Sequence, residues 1–215
     1  MTYRNSISSA VLLAALIAGS AGAATRVDIQ KLDARQLERD FATAVGGNTQ
    51  AMAAPARHAR ILGMDPESTL AVDRESIVEG GRHFRYSQRF RGLPVFGSGL
   101  VVSQDAAGNI RAMFGNLVKG IAADVPSTAA RIAGDRAAQL ATQASLGKRA
   151  AEFTVEDLSA VKSIYVDDDG RAHLAFIVTF FAQVQDVGEP TEPTVVVDAL
   201  DGRIISQSES LASAH

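Results

Sequence analysis

Alternating polar and apolar side chains from residue 83 onward predict a β-strand with two chemically different sides. The two sets are Phe84, Tyr86, Gln88 and Phe90 on one side, and His83, Arg85, Ser87 and Arg89 on the other. The pattern breaks at Gly92-Leu93-Pro94 and resumes as an apolar strand. The aromatic side predicts a buried face, whereas the basic side, together with Arg91, indicates a solvated edge or a surface for a partner.

The sequence predicts two helices, and glycine follows each of them. Residues 28–45 have the period of an amphipathic helix, and residues 133–146 form a short Ala-rich helix. In the first, charged residues such as Glu38 are expected on the solvent side. An Ala- and Pro-rich segment, residues 51–69, separates this helix from the strands. Because it contains Pro55 and Pro66, we expect a linker without regular structure there.

Strand periodicity recurs along the chain at residues 69–78, 82–91, 94–103, 110–118, 158–166, 172–184, 194–199 and 203–208. Helices followed by antiparallel strands predict the α+β class, and we expect two small modules in tandem, each a sheet packed with helix. The expected divisions are a signal peptide at 1–23, a helix and linker at 24–59, one module at 60–122, a second at 123–211, and a junction tail at 212–215.

The N-terminal segment has the three parts of a secretory signal peptide. Arg4 supplies a positive charge, residues 10–18 are apolar, and Ala21-Gly22-Ala23 provides small residues for cleavage after Ala23 or Ala24. The apolar run is shorter than the ~20 residues that span a bilayer. We therefore expect export without a stable membrane anchor after cleavage.

Composition and net charge exclude some kinds of site and partner. The chain has no cysteine, so it holds no disulfide and no thiolate metal site, and bacterial export fits this composition. Its formal net charge of −3 argues against nucleic-acid binding, for which a basic chain is expected.

The sequence lacks the common catalytic motifs. It contains no H-E-x-x-H, no phosphate-binding glycine loop and no nucleophile elbow. The histidines His58, His83, His173 and His215 have spacings that match no metal site, and His83 and His173 are expected to be partly buried or at the surface. Asp167-Asp168-Asp169-Gly170 lacks the ligand spacing of a calcium loop and predicts a solvated turn. We expect no enzyme and no cofactor in this chain.

Residues 83–118 resemble the fungalysin/thermolysin propeptide motif, in which an aromatic strand with R-x-x-Q precedes G-x-P-V-[FY]-G and an acidic-Gly turn. The matching residues are Arg85, Tyr86, Gln88, Gly92, Pro94, Val95, Phe96, Gly97, Asp105 and Gly108. Residues 125–211 are similar to a PepSY domain through Val197, Asp198, Ala199, Gly202 and Ile204. Together these resemble the pro-region of a vibriolysin- or pseudolysin-like zinc metalloprotease.

This resemblance implies an intramolecular chaperone and inhibitor, secreted or periplasmic in a Gram-negative bacterium, whose partner is a thermolysin-like catalytic domain. Zinc and calcium would belong to that domain, which this sequence lacks. The resemblance also places the processing junction at His215, whose imidazole or carboxylate is a possible zinc ligand in trans. The alternative is a free-standing exported module that restrains a peptidase or another partner.

Overall fold

The structure is a computed structural model that describes residues 24–46, 49–184 and 190–209. The predicted signal peptide with Ala23 and the predicted junction with His215 lie outside the described residues. The described α-helices are α1 (Ala34–Val45), α2 (Ala54–Ile61), α3 (Ile121–Asp124) and α4 (Gly134–Leu146). Shorter 3₁₀ helices cover Ile29–Lys31, Thr49–Ala51 and Gly147–Glu152.

Nine strands are described: β1 (Thr25–Asp28), β2 (Ser68–Val78), β3 (Gly81–Phe90), β4 (Leu93–Gln104), β5 (Ile110–Lys119), β6 (Phe153–Val166), β7 (Ala172–Val184), β8 (Pro193–Asp198) and β9 (Ile204–Glu209). The α+β class is confirmed. The predicted strands are present, and β6 begins earlier than its periodicity indicated.

Within the described residues these strands form a single sheet in the order β1-β5-β4-β6-β7-β8-β9, with β3 and then β2 attached through β4. The pairs within this sheet are antiparallel, except that β4 and β6 meet in parallel at Val95 and Ile164. That contact joins the two predicted modules through their strands. The division of the chain at residue 122 stays a prediction.

Two clusters of buried apolar side chains hold the helices against the sheet. Phe84, Tyr86 and Leu100 belong to the first cluster, against which Leu37 and Phe41 of α1 pack. The second cluster contains Ala137 and Ala141 of α4 together with strand residues from both halves of the chain. Burial of these apolar faces is the main stabilising contribution, at about 25 cal/mol per Å².

The predicted linker is wrong, because α2 occupies Ala54–Ile61. Pro55 stands in its first turn, where no intrahelical partner for a backbone N–H is needed. Arg57, His58 and Ile61 of this helix are buried. Tertiary packing of one helical face therefore overrides the local signal of the prolines.

Candidate docking surface

Strand β3 separates buried from exposed side chains as its alternation predicts. Phe84, Tyr86, Gln88 and Phe90 are at most 2% exposed. Arg85 and Arg89 are exposed, and His83 and Ser87 are partly exposed. Because α1 packs against the buried side, the arginines lie on the opposite side of the sheet. We call the exposed side of β2 to β5 the open face.

A row of side chains crosses the open face in register. Arg85 on β3 pairs with Val101 on β4, and Val101 pairs with Phe114 on β5. Phe114 is 50% exposed, so a large apolar side chain is accessible on this face. Asp73, at a bulge in β2, accepts a hydrogen bond from Ser87 at 2.9 Å. Arg85, Asp73 and Phe114 line a groove of about 460 Å³. This is a mixed aromatic and charged surface.

The three arginines of the predicted edge separate into two roles. Arg85 and Arg89 belong to the open face, and Arg89 donates a local hydrogen bond to the Gly92 carbonyl at 3.1 Å. Arg91 instead forms an ion pair with Glu67 at 2.8 Å and donates to the Pro126 carbonyl at 2.6 Å. Arg91 is therefore a structural link between β3 and the segment that begins the second half of the chain.

Gln88 lies where the β3–β4 register shifts. Ser87 pairs with Gly99, but Arg89 pairs with Pro94, so the intervening part of β4 leaves β3. The Gln88 amide occupies this gap: its Nε2 donates to the Val118 carbonyl at 2.7 Å, and its Oε1 accepts from the Val118 N–H at 2.8 Å. The side chain thus imitates a strand's peptide group inside the core.

The diverging part of β4 carries the next motif residues. Val95 is 3% exposed and joins the second cluster at the contact with Ile164. Gly97 has φ +69°, a conformation that favours glycine. Pro94 stands where the strand resumes after the turn at Gly92, whose φ is +82°. These motif residues therefore form a junction between the two halves.

Sequence reasoning missed Gly99 and Gly115, which lie beside Gln88's gap. Gly115 has φ +113°, and a Cβ there would approach the Gly99 carbonyl oxygen to 2.2 Å. The backbones of β4 and β5 approach each other too closely at this point for position 115 to carry a side chain. A glycine within an apolar strand was the available signal, because isolated strand glycines often mark close backbone approach.

The Asp105–Gly108 turn closes the β4–β5 hairpin. Asp105 accepts from the backbone N–H of Asn109 at 2.9 Å, and Gly108 has φ +84°. Hydrogen bonds from the Asn109 side chain and backbone hold the pKa of the Asp105 carboxyl below its usual value. The Gly108 carbonyl accepts from Arg57 at 2.7 Å and so ties this turn to α2.

The expectation that Glu38 faces solvent is wrong. Its Oε1 pairs with the buried Arg57 guanidinium, and its Oε2 accepts from the Ile110 N–H at 3.0 Å. This carboxylate joins α1, α2 and β5. A buried arginine requires a counter-charge, and periodicity alone does not reveal which residue supplies it.

His58 on α2 is fully buried and contacts side chains of β3 and β4, a role that the spacing of the histidines did not predict. Its Nδ1 lies 2.8 Å from the Tyr86 hydroxyl, and its Nε2 lies 2.9 Å from Nε2 of Gln104. Because Gln104 Nε2 also donates to the Gly108 carbonyl, His58 Nε2 is an acceptor and Nδ1 carries the proton. Burial, with Arg57 and Arg82 nearby, lowers the pKa of His58 to about 4.

The residues of the second resemblance form another turn. Asp198 is 8% exposed and accepts from the Leu200 N–H at 2.7 Å. Gly202 has φ +79°, and a Cβ there would lie 2.9 Å from Leu140 on α4. This glycine allows the β8–β9 turn to pack against the helix.

The aspartate run forms a turn, as predicted, with the Gly170 N–H donating to the Asp167 carbonyl at 3.1 Å. Asp168 and Asp169 are exposed. His173 is partly buried and lies 2.8 Å from Asp167, and His83 is partly buried beside Ser103. In the described part of the chain, no group of His, Asp and Glu side chains could hold a metal ion.

Comparisons with known proteins bear on this sheet directly. Residues 70–117, which run from β2 into β5, match the family described as Fungalysin/Thermolysin Propeptide Motif. The chain is 27% identical over 146 residues to the Hemagglutinin/proteinase of Vibrio cholerae serotype O1. It is 29% identical over 144 residues to the Virulence metalloprotease of Vibrio anguillarum and 30% identical over 146 residues to the Neutral protease of Vibrio proteolyticus.

These alignments cover 65% to 67% of this chain but 23% of each relative. The resemblance to a thermolysin-family propeptide is confirmed, whereas the PepSY resemblance stays a prediction. A solved structure, the Bacillus megaterium YpeB C-terminal domain, aligns over 84% of this chain and 66% of its own, with a TM-score of 0.31 and 11% identity, which is too weak a likeness to support a conclusion. Across the described residues, none of the helices has the length and apolar character needed to cross a membrane.

Proposed function

We propose that this chain acts as the pro-region of an exported, thermolysin-like zinc metalloprotease, assisting the folding of the catalytic domain and then inhibiting it. The observation that carries the proposal is the propeptide match over residues 70–117, because that segment builds the open face. Similarity to three Vibrio proteases supports the identity of the partner. The signal-peptide pattern supports export from a Gram-negative cell.

The physical basis of such assistance is kinetic. A large protease domain folds through intermediates that expose apolar surface, and a partner that is already folded stabilises native-like arrangements by binding them. Binding to the finished domain also covers its substrate cleft. The chain itself needs no metal or cofactor for this role, and zinc and calcium would belong to the catalytic domain.

The open face is the surface we assign to this contact. Arginine and aromatic residues are enriched among residues that dominate interface energies, and the row Arg85–Val101–Phe114 combines both types. The exposed guanidinium of Arg85 would also steer association with an acidic protease surface.

The test uses the full chain and a purified vibriolysin-like catalytic domain, such as that of the Vibrio proteolyticus Neutral protease. Two assays are needed: inhibition of peptide hydrolysis, and the yield of active enzyme after dilution from denaturant. Arg85→Glu and Phe114→Ser should each raise the inhibition constant at least tenfold, which corresponds to about 1.4 kcal/mol. Circular dichroism should confirm that both variants fold.

Matched controls lie elsewhere on the surface. Arg136→Glu on α4 repeats the charge change, and Leu158→Ser on β6 repeats the loss of an exposed apolar side chain that is 49% exposed. Both should inhibit like the original chain. Equal inhibition by all four variants would exclude the open face, and an original chain that neither inhibits nor assists refolding would exclude the proposed function.

His215 adds a second, separable element to this proposal. The resemblance places it at the bond that the protease cuts, where its imidazole or carboxylate could reach the open position of a catalytic zinc. A chain lacking residues 212–215 should then inhibit less strongly at neutral pH, and the difference should shrink near pH 5 as the imidazole protonates. Equal inhibition by both chains would assign all binding to the folded part.

A further inference from the structure

The backbone nitrogen of Ala24 is bound by a side chain 100 residues further along the sequence. Asp124 Oδ2 accepts from the Ala24 nitrogen at 2.9 Å and, on the same oxygen, from the Ala172 N–H at 2.9 Å. Ala24 itself is 3% exposed and belongs to the second core cluster. The residue before β1 is thus held against α3 and β7.

The position of this contact coincides with the predicted processing site. Cleavage after Ala23 would make Ala24 the first residue and would convert its amide nitrogen into a free α-ammonium. The same nitrogen, at the same 2.9 Å from Asp124, would then carry a full positive charge opposite a carboxylate. Hydrogen bonds between two charged groups are roughly twice as strong as neutral ones.

We propose that Asp124 is the binding site for the new N-terminus released by cleavage after Ala23. The ion pair exists only in the cleaved chain, so removal of the signal peptide stabilises the exported form and fastens β1 to α3 and β7. Cleavage after Ala24 would remove the buried residue and the bonded nitrogen together. Of the two candidate cleavage positions, only the one after Ala23 keeps this contact, so the proposal places cleavage there. This inference rests on the predicted signal peptide and is independent of the proposed protease partner.

The fit around Ala24 is close on its other side. A Cβ placed at Gly170 would lie 3.4 Å from the Ala24 carbonyl oxygen, so the turn before β7 approaches the first residue's backbone. Ala24 belongs to the same core cluster as Val118 and Ile121, and Asp124 is partly buried. A partly enclosed pair of this kind loses less of its strength to solvent than an exposed one.

The experiment begins with the full chain of residues 1–215, exported by a bacterial host and purified after processing. N-terminal sequencing should read Ala-Thr-Arg-Val, beginning at Ala24. A second version carries Gly-Ser between Ala23 and Ala24, which leaves Ala24 with a neutral amide nitrogen and moves the amine two residues away. This version should melt about 2–4 °C lower, the shift expected for 1 kcal/mol in a chain of this size.

Asp124→Asn in both versions completes a double-mutant cycle. The substitution removes the carboxylate charge, so the difference between the two versions in melting temperature should disappear. Asp168→Asn, in the exposed turn, is the matched control and should leave the difference unchanged. A second readout avoids Asp124→Asn altogether: acylation of the α-amine should be slower in the chain that begins at Ala24 than in the Gly-Ser version.

Three outcomes would overturn the inference. The first is a mature N-terminus at Thr25 or elsewhere. The second is equal melting temperature and equal α-amine reactivity for the two versions. The third is a melting difference that persists unchanged with Asp124→Asn, which would attribute it to the inserted residues.

Discussion

The side chain of Gln88 pairs with both backbone groups of Val118, donating to the carbonyl at 2.7 Å and accepting from the N–H at 2.8 Å. The two residues lie 30 positions apart, and both are almost fully buried. The amide takes the place of a strand at the point where β4 turns toward β6. A polar residue on the apolar side of β3 is therefore a structural requirement of the junction.

Gln88→Met should destabilise the chain strongly. Methionine keeps a similar shape but leaves the buried N–H and carbonyl of Val118 without partners, at a cost of roughly 2–5 kcal/mol. Urea unfolding would measure the loss. Ser87→Ala, one residue away on the partly exposed side, is the control and should cost no more than about 1 kcal/mol. A Gln88→Met chain as stable as the original would contradict the role assigned to the amide.

Gly115→Ala and Gly92→Ala should separate crowding from backbone strain. Both glycines have positive φ, but a Cβ at Gly115 meets the Gly99 carbonyl at 2.2 Å, whereas nothing lies within 4 Å of one at Gly92. Gly92→Ala should cost about 1–2 kcal/mol from conformation alone. Gly115→Ala should cost more, because two backbones must also move apart. Equal losses in the free energy of unfolding, measured with denaturant, would show that the β4 and β5 backbones move apart at little cost.

Phe90 and Arg89 provide a test of the β3 register. Phe90 is 0% exposed in the second core cluster, so Phe90→Ala should cost roughly 3–5 kcal/mol. Arg89 is exposed, and Arg89→Ala should change the free energy of unfolding by less than about 0.5 kcal/mol. Thermal unfolding of the two variants shows which of these residues faces the core. The reverse ranking would require a strand shifted by one residue.

His58 should make stability fall as the solution becomes acidic. Its folded pKa, about 4, lies below the unfolded value of 6.5, so the unfolded chain binds the proton more readily. Stability from the neutral imidazole is complete above pH 6.5 and is lost as pH falls toward 4, by roughly 3 kcal/mol in total. Protonation would also place an N–H of His58 against the amide donor of Gln104.

The measurement is the free energy of unfolding between pH 7 and 4 for the original chain and for His58→Gln. The variant lacks the titrating group, so its curve should be flatter between pH 6.5 and 5, where few carboxylates titrate. His83→Gln serves as the control, because His83 is only partly buried, beside Ser103. Parallel curves for the original chain and His58→Gln would show that the imidazole is not the source of acid sensitivity.

The local parts of this protein could be predicted from its sequence. Local sequence predicted the two sides of β3, the amphipathic helix α1, the Ala-rich helix α4 and the turn at Asp105–Gly108, and the structure contains each of them. Each of these features depends on neighbours within a few residues. The propeptide resemblance was also readable, because its residues are close together in the chain. Side-chain periods of 2 and 3.6 are properties of the backbone and need no knowledge of distant partners.

Only the tertiary structure decided which distant residues meet. The prolines of residues 51–69 indicated a linker, but burial of His58 and Ile61 makes α2 a helix. The gap that Gln88 fills exists because β4 leaves β3 to meet β6, and the bond from Ala24 to Asp124 spans 100 residues. Such contacts depend on the whole packed core, since a buried polar group must find its partner wherever the fold brings one within reach.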